Sequence, residues 1–255
     1  MKKFIVGISG ATGAIYGIRL LEILRGVEGV ETHLVLTPSG RRTIELETDF
    51  TVKQVEALAD RVYRPGDIAA AISSGSFRSA GMVVAPCSMK TASGIATSFS
   101  DNLLLRAADV TLKDRRRLVL LVRETPLHLG HLRLLVQLAE MGAVVMPPVP
   151  AFYHRPATLE AVIDQTVNRV LDLLEIELEG DLFPRWQGPP ESPRSRSVPV
   201  DREVGPRTRP PRATGSAGPS GGPNLEDEQC PYRSTVHAFR VPIETISTRS
   251  RKWES

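Results

Sequence analysis

Cysteine is scarce in this sequence: the 255 residues contain two, Cys87 and Cys230, which lie far apart in the chain. Two isolated cysteines exclude both a disulfide framework and the paired spacing of a structural zinc site. A long apolar run is also missing, because no stretch approaches the roughly 20 residues that span a bilayer. We therefore expect a cytoplasmic globular protein, and we interpret the segment KFIVGI at 3–8 as a first strand rather than a signal peptide.

The chain has little net charge, and what it has lies near its end. The formal charge is +3 at pH 7. Residues 1–188 contain 21 basic and 21 acidic residues, and residues 189–255 contain 11 basic and 8 acidic ones. A neutral body offers no basic surface for a polyanion, so we expect no nucleic-acid partner.

The composition changes after residue 188. The stretch that begins at Pro189 is dominated by Pro, Arg, Ser and Gly, and it contains too few apolar residues to offset the entropy of ordering it. We predict a folded domain over 1–188 and a disordered extension over 189–255. Within that extension, STVHAFRVPIETIS at 234–247 alternates like a strand, but it is short and isolated.

Apolar runs and helical patterns alternate through the body of the chain. The runs are KFIVGI, THLVLT, GMVVAP, RLVLLV and AVVMPP. Helical patterns follow Gly13 and cover 51–60, 90–113, 129–141 and 159–178. This alternation predicts an α/β fold with a parallel sheet covered by helices on both faces. Ligands of such sheets bind beyond the carboxyl ends of the strands, so the residues after each run are candidate site residues.

The first run ends in a glycine-rich turn that lacks the dinucleotide fingerprint. GISGATGAIYG at 7–17 lies between a strand and a helix, where phosphates commonly bind. The fingerprint needs glycine at positions 8, 10 and 13, and position 8 is Ile8. After the second run, residues 37–40 supply hydroxyls and a helix start instead of the acid that holds a ribose. A mononucleotide is favoured over NAD; the alternative is a turn needed only for packing.

The third run leads into PCSMKT at 86–91, where small and hydroxyl residues open a helix. Ser88 and Thr91, together with backbone N–H groups, could line a planar ring or a phosphate. Cys87 has no evident base partner nearby in the sequence. A buried structural thiol is therefore favoured over a nucleophile at this position.

Charged residues follow the fourth run directly. Arg123 could clamp a phosphate or contact a ring carbonyl, and Glu124 could exchange protons. The alternative is a plain ion pair at a helix start. His128 and His131 lie three residues apart on the next helix. Without a third ligand they are interpreted as surface or packing residues rather than a metal site.

The fifth run leads into a proline-stiffened loop that carries Tyr153. The Tyr153 hydroxyl could donate to a phosphate oxygen, or the ring could simply cap the core. Arg169 interrupts the apolar face of VNRVLDLL, and most such arginines extend along the surface to reach water. Sequence spacing alone leaves both alternatives open.

Taken together, the strand-end segments resemble those of one family, the UbiX-type flavin prenyltransferases. The matching segments, in order, are SGATGAIYGIRLLE, LETD, SGSF, PCSMKT, NLLLRAADVTLK, LVRETPL, PPVPAFYHRP, NRVLDLL and LFPRW. They cover residues 1 to about 188. Thr12 stands where some members have Ser, and Ile68 stands where some place a Trp in the prenyl pocket. An aliphatic Ile68 suits an allyl chain but offers no π contact to a cation.

The resemblance implies a flavodoxin-like or Rossmann-like domain that assembles into a homododecamer. It implies FMN binding and transfer of a dimethylallyl group from dimethylallyl phosphate to N5 and C6 of the reduced flavin, with no metal. The product, prenylated FMN, serves UbiD-type decarboxylases, and the ubiquinone pathway is one place where such enzymes act. Members were long labelled 3-octaprenyl-4-hydroxybenzoate carboxy-lyases.

The resemblance also assigns roles by position. The positions that match the FMN site are Gly10, Ala11, Thr12, Ser39, Ser88, Met89, Lys90, Thr91 and Arg123. Lys113, Tyr153 and Arg169 match the positions that hold the dimethylallyl phosphate, with Arg106 as a nearby basic residue. Glu47 and Glu124 match acidic residues near the reacting groups, and we expect Glu124 to aid proton transfer at N5.

Two rival functions remain at this point. Flavin-dependent cysteine decarboxylases share the scaffold, but they depend on a His near the first helix and on a PASANT-like segment. Here Ala14 and Ile15 follow the turn, and the later segment is PCSMKT. A non-catalytic FMN-binding protein would keep the turn and lose the phosphate donors, all three of which are present.

Overall fold

In a computed structural model, which describes residues 1–189, the chain forms one six-stranded parallel sheet with helices on both faces. The strands are β1 (Lys2–Ile8), β2 (Val30–Leu36), β3 (Arg61–Tyr63), β4 (Gly81–Cys87), β5 (Arg117–Val122) and β6 (Val144–Val145). The predicted disordered extension, including its strand-like segment 234–247, lies outside the described residues apart from Pro189.

Seven α-helices connect and follow these strands. They are α1 (Ala14–Arg25), α2 (Pro38–Glu47), α3 (Val52–Glu56), α4 (Met89–Ala96), α5 (Leu103–Lys113), α6 (Leu129–Glu140) and α7 (Leu159–Leu173), and one 3-10 turn covers Ala71–Ser73. None of the helices within residues 1–189 combines the length and the apolar character needed to cross a bilayer.

The sheet is buried on both faces, which explains why its strands are almost continuously apolar. Along β1, Phe4, Val6 and Ile8 pack with α1 and α7, whereas Ile5 packs on the opposite face with α4, α5 and α6. The alternation follows from the two-residue period of a strand. The strand order is β3-β2-β1-β4-β5-β6, so the chain changes direction across the sheet between β1 and β4. The predicted fold class is confirmed.

Two predicted helices are wrong in extent. The helical pattern at 90–113 is two helices, because the Asn102 side chain accepts the N–H of Leu105 and starts α5 afresh. The pattern at 159–178 ends at Leu173, and Glu175 then adopts a left-handed φ of 56°. Side-chain caps and a left-handed residue end helices that the apolar pattern alone would continue.

The region predicted as a helix at 51–60 contains both a shorter helix and the approach to an unpredicted strand. Helix α3 ends at Glu56, and Asp60 then accepts hydrogen bonds from the backbone N–H and hydroxyl of Thr32, at 2.7 and 2.9 Å. These bonds fix the start of β3 beside β2. Strand β3 has three residues and no apolar run, so its sequence carried no strand signal.

Gly17 allows α1 to lie close against the sheet. A Cβ at this position would be 2.2 Å from the carbonyl oxygen of Ala85 and 2.9 Å from the side chain of Ile8. We expect Gly17→Ala to lower the free energy of unfolding by about 2–3 kcal/mol, because a backbone carbonyl cannot move aside easily. Urea denaturation measures this, with Gly180→Ala as the control, since a Cβ there would meet nothing within 4 Å. Equal stability of the two variants would contradict the close contact.

Candidate active site

A cavity of about 830 Å³ opens at the carboxyl edge of the sheet, beside the point where the strand order reverses between β1 and β4. This is where open α/β sheets bind their ligands. The predicted site residues that line it are Gly10, Ser39, Ser88, Met89, Lys90, Thr91 and Glu124. Pro65, Phe99 and Leu105 add apolar surface. The volume lies within the range of small-molecule and cofactor sites.

Ser9 joins the two loops that form the centre of this cavity. Ser9 is 1% exposed, and its hydroxyl donates to the carbonyl of Pro86 at 2.9 Å and accepts the N–H of Ser88 at 2.8 Å. The glycine turn after β1 and the PCSMKT segment after β4 are therefore held at a fixed separation. Ser9 was not among the predicted site residues, although it lies directly after a buried strand and precedes the turn.

Two helices begin at the cavity with hydroxyl caps. Thr37 accepts the N–H of Gly40 at 3.0 Å, and Ser88 accepts the N–H of Thr91 at 3.3 Å. Ser88 also donates to the Thr91 hydroxyl at 3.1 Å. The positive ends of α2 and α4 therefore open on the same space, which suits an anionic ligand.

Glu47 lies at the glycine turn. Its carboxylate accepts the N–H of Gly13, the residue before α1, at 2.8 Å. A carboxylate at a helix N-terminus is favourable because it faces the positive end of the helix dipole. Ala11 and Thr12 lie in the same turn, where the Ala11 N–H donates to the Ser9 carbonyl. The structure thus brings Glu47 to the turn although 34 residues separate it from Gly13.

Arg123 and Glu124 leave β5 in different environments. Glu124 lines the cavity, and its carboxylate accepts the N–H of Thr125 at 3.1 Å. The Arg123 N–H donates to the carbonyl of Cys87, which fixes this loop beside the PCSMKT segment. Within the described residues the two side chains form no ion pair with each other. Arg123 does not line the cavity. Burial raises the pKa of Tyr16, and a hydrogen bond with Thr166 and the charge of Arg123 oppose that rise.

Tyr153 and Arg169 both contact the last described part of the chain. The Tyr153 ring lies edge-on to Trp186, with centroids 5.8 Å apart, and 46% of the residue is exposed. Arg169 pairs with Asp172 at 2.7 Å, and Asp172 also binds Arg185. Tyr153 therefore does not cap the core. Asp172 and Arg185 were not predicted, although LFPRW was one of the segments that carried the resemblance.

Lys113 and Arg106, like Tyr153 and Arg169, do not line the cavity of their own chain. Helix α5 begins at the cavity with Asn102 and ends at Lys113, about 16 Å further along its axis. Lys113 pairs with Asp114 at 3.1 Å, close to where β5 starts. The Arg106 guanidinium donates to the carbonyl of Ser73 at 3.1 Å and pairs with Asp109.

The remaining candidates have structural roles. Cys87 is buried, and burial raises the pKa of its thiol to about 12, as expected of an inert thiol. His128 accepts the N–H groups of Gly130 and His131 and so caps α6. Among residues 1–189 no group of three or more His, Cys, Asp or Glu side chains could hold a metal ion.

Comparison with known proteins identifies the family. A Flavoprotein family profile matches residues 1–172. The chain is 66% identical over 188 residues to the flavin prenyltransferase UbiX of Escherichia coli strain K12, covering 74% of this chain and all of that protein.

Two solved structures agree in fold. AnUbiX in complex with FMN and dimethylallyl pyrophosphate is 50% identical, with a TM-score of 0.70, and the match covers 73% of this chain and 98% of that one. A dodecameric FMN-dependent UbiX-like decarboxylase from Escherichia coli O157:H7 is also 50% identical, with a TM-score of 0.71, over 73% of this chain and all of that one. The profile, the sequence identity and the shared fold agree, and the chain belongs to the UbiX family of flavin prenyltransferases.

Proposed function

We propose that this chain transfers the dimethylallyl group of dimethylallyl phosphate to N5 and C6 of reduced FMN, and that the prenylated FMN serves a UbiD-type decarboxylase. The observation that carries the proposal is the cavity of about 830 Å³, bounded by hydroxyl-capped helix starts, in a chain 66% identical to a flavin prenyltransferase. The cysteine-decarboxylase alternative is not favoured by this similarity, and a purely FMN-binding role leaves Lys113, Tyr153 and Arg169 unexplained.

The cavity can accommodate FMN by its volume and by its donors. Its floor is the glycine turn, and α2 and α4 begin beside it, so backbone N–H groups and hydroxyls face the space where a phosphate ester can lie. The residues that would hold FMN are Gly10, Ala11, Thr12, Ser39, Ser88, Met89, Lys90, Thr91 and Arg123. Reduced FMN would supply the nucleophilic nitrogen and carbon of the reaction.

Gly10 has no side chain, which allows the glycine turn to lie close to Ser39. A Cβ at Gly10 would lie 2.2 Å from the Cβ of Ser39, so a methyl group there forces the two loops apart. We expect Gly10→Ala to raise the Kd for FMN at least about tenfold, because a single overpacked methyl costs 1–3 kcal/mol. Fluorescence titration with FMN measures this. Gly66→Ala is the control, because Gly66 lines the same cavity and a Cβ there meets nothing within 4 Å; FMN affinity that is equal in the two variants would contradict the proposed turn site.

Cations around the donor phosphate explain how the allylic C–O bond breaks. The bond's electron pair leaves with the phosphate, and positive charge and O–H donors stabilise that departing charge most strongly where water is excluded. Arg169 and Lys113 would supply the charge and Tyr153 a hydroxyl. Holding the allyl group against its acceptor would add the advantage of proximity.

Lys113 would reach this site from a neighbouring copy of the chain. Within one chain, Lys113 lies about 16 Å along α5 from the cavity-lining residue Asn102, at the opposite edge of the sheet. The Escherichia coli O157:H7 relative is described as dodecameric, and in the assembly proposed for this chain the amino-edge surface of one chain lies against the cavity of another. We infer that the active site is shared between subunits of a homododecamer.

The two carboxylates would have different roles. Glu124 lines the cavity and would take the proton that N5 loses as its new bond forms. Glu47, which accepts the Gly13 N–H, would hold the glycine turn in position beside the reacting groups. We propose Glu124 and Tyr153 as the catalytic residues that act on the substrates, with Glu47, which the resemblance places near the reacting groups, acting through the turn.

The functional domain in this proposal is residues 1–188, and residues 189–255 are an extension with no assigned role. Alignment with the Escherichia coli K12 relative spans 188 residues, which supports this boundary. A cytoplasmic location is proposed on the scarcity of cysteine.

Release of the leaving group tests the proposal and identifies the donor. Protein, reduced FMN and either dimethylallyl phosphate or dimethylallyl pyrophosphate are mixed without oxygen, and inorganic phosphate and pyrophosphate are measured. Phosphate released in step with flavin consumption, from the monophosphate, is expected. Release of neither product from either donor would overturn the proposed function.

A further inference from the structure

The segment from Asp181 to Trp186 follows α7 and folds back along it. Asn168, on α7 and 2% exposed, accepts the N–H of Leu182 at 2.9 Å and so anchors the segment to the helix. Phe183 packs edge-on to His154, with ring centroids 5.6 Å apart. The 181–186 segment therefore has a fixed place beside the loop that carries Tyr153 and the helix that carries Arg169.

Arg185 binds Asp172, the same carboxylate that pairs with Arg169. Its guanidinium donates to both oxygens of Asp172, at 2.7 and 3.0 Å, and the Arg169 guanidinium donates to one of the same oxygens at 2.7 Å. Arg185 also binds both oxygens of Asp181 at 2.6 Å. The bidentate geometry fixes the orientation of Asp172, because a planar guanidinium fits a carboxylate in one plane only.

Trp186 contacts Tyr153, the second side chain proposed to bind the donor phosphate. Its ring lies at 73° to the Tyr153 ring, with centroids 5.8 Å apart. Edge-to-face pairs of this kind favour one relative orientation. Arg185 thus binds the carboxylate that pairs with Arg169, and Trp186 contacts Tyr153 directly. These two consecutive residues reach two side chains that lie 16 residues apart in the chain.

We propose that the 181–186 segment positions Arg169 and Tyr153 for the phosphate of the prenyl donor, through Arg185 and Trp186. The inference rests on the proposed function and adds two positioning residues to it. Arg185 satisfies Asp172 independently of Arg169, so Arg169 can turn toward a phosphate without leaving an unpaired carboxylate. The Arg185 guanidinium is also the main reason why the pKa of Asp172 is below its usual range, so Asp172 stays charged near neutral pH.

The Arg185→Gln variant tests the first half of the inference. Without Arg185, Asp172 has only Arg169 as a cationic partner and competes with the donor phosphate for it. We expect the KM for dimethylallyl phosphate to rise about tenfold while kcat changes less than about threefold, the pattern of lost ground-state binding. Arg117→Gln is the matched control, because Arg117 is about as exposed as Arg185 and pairs with Glu175, at 3.5 Å, rather than with Asp172. Equal KM values in the two variants would overturn the role of Arg185.

A double variant separates positioning from general damage. If Arg185 acts through Asp172, Arg185→Gln should have little further effect in an Asp172→Asn background, whereas independent effects would add. Arg185→Lys should recover part of the affinity, because it restores charge without the bidentate fork. Fully additive effects would contradict the route through Asp172.

The second half is tested at Trp186 without relying on turnover. Calorimetric titration with inorganic phosphate gives a Kd for the wild type, Trp186→Phe and Trp186→Ala. We expect Trp186→Phe to keep the wild-type Kd and Trp186→Ala to raise it about fivefold, since an aromatic pair is worth about 1 kcal/mol. Identical Kd values for all three would exclude Trp186 as a positioning residue. Because inorganic phosphate carries no prenyl group, this titration is independent of whether the prenyl transfer itself is observed.

Discussion

Glu124→Gln is expected to lower kcat for prenyl transfer by about 100-fold and to leave the Kd for FMN unchanged. A positioned general acid or base contributes roughly 10²–10⁴-fold to a rate, and an amide cannot accept the N5 proton. Glu124 lines the cavity, and its carboxylate accepts the N–H of Thr125, a bond that a glutamine oxygen can keep. Single-turnover flavin absorbance under anaerobic conditions measures the rate.

Asp101→Asn is the control for that result. Asp101 is a second exposed acid that lines the same cavity, and it accepts a hydrogen bond from the neighbouring Asn102 side chain at 2.8 Å. Its neutralisation should change kcat less than about threefold, because no reacting group is assigned to it. Full turnover in Glu124→Gln would remove Glu124 from the chemistry, and equal losses in both variants would show a general effect of cavity charge.

Co-expression of two inactive variants is expected to restore activity. Lys113→Ala and Arg169→Ala should each lower kcat/KM by about 10²–10³-fold, the loss typical of a removed transition-state donor. If each site takes Arg169 from one chain and Lys113 from a neighbour, random assembly leaves about one quarter of the sites intact. Differently tagged chains, co-purified through both tags and assayed for prenyl transfer, measure this recovery.

The structure also supplies a control pair for this experiment. Tyr153 and Arg169 both contact the 181–186 segment of one chain, Tyr153 through Trp186 and Arg169 through Asp172 and Arg185. Co-expressed Tyr153→Phe and Arg169→Ala should show the average activity of the two single variants, because both side chains would come from the same subunit. A Lys113→Ala and Arg169→Ala mixture that stays inactive would contradict the shared site.

The strands and the carboxyl-edge site could be predicted from the sequence because burial on both faces leaves a continuous apolar run. Gly10, Ser39 and Ser88 each follow such a run and line one cavity. Strand β3 escaped prediction because its three residues are paired through backbone bonds and the Asp60–Thr32 contacts rather than through an apolar run. Local patterns do not record such contacts.

The position of Lys113 shows what spacing could have added. A helix that precedes a parallel strand ends at the amino edge of the sheet, so a lysine four residues before Arg117 could have been assigned to that edge. The links from Arg169 through Asp172 to Arg185 were beyond prediction, because they depend on how the chain folds back after α7. The LFPRW segment signalled family resemblance without indicating these contacts.

The mass of the flavin after one anaerobic incubation tests the central claim most directly. Purified protein is mixed with reduced FMN and dimethylallyl phosphate, and the bound and free flavin are analysed by mass spectrometry. The proposed function predicts a mass gain of one dimethylallyl unit in the wild type. FMN that binds but keeps its mass would contradict prenyl transfer and would favour a flavin-binding or cysteine-decarboxylase role on the same fold.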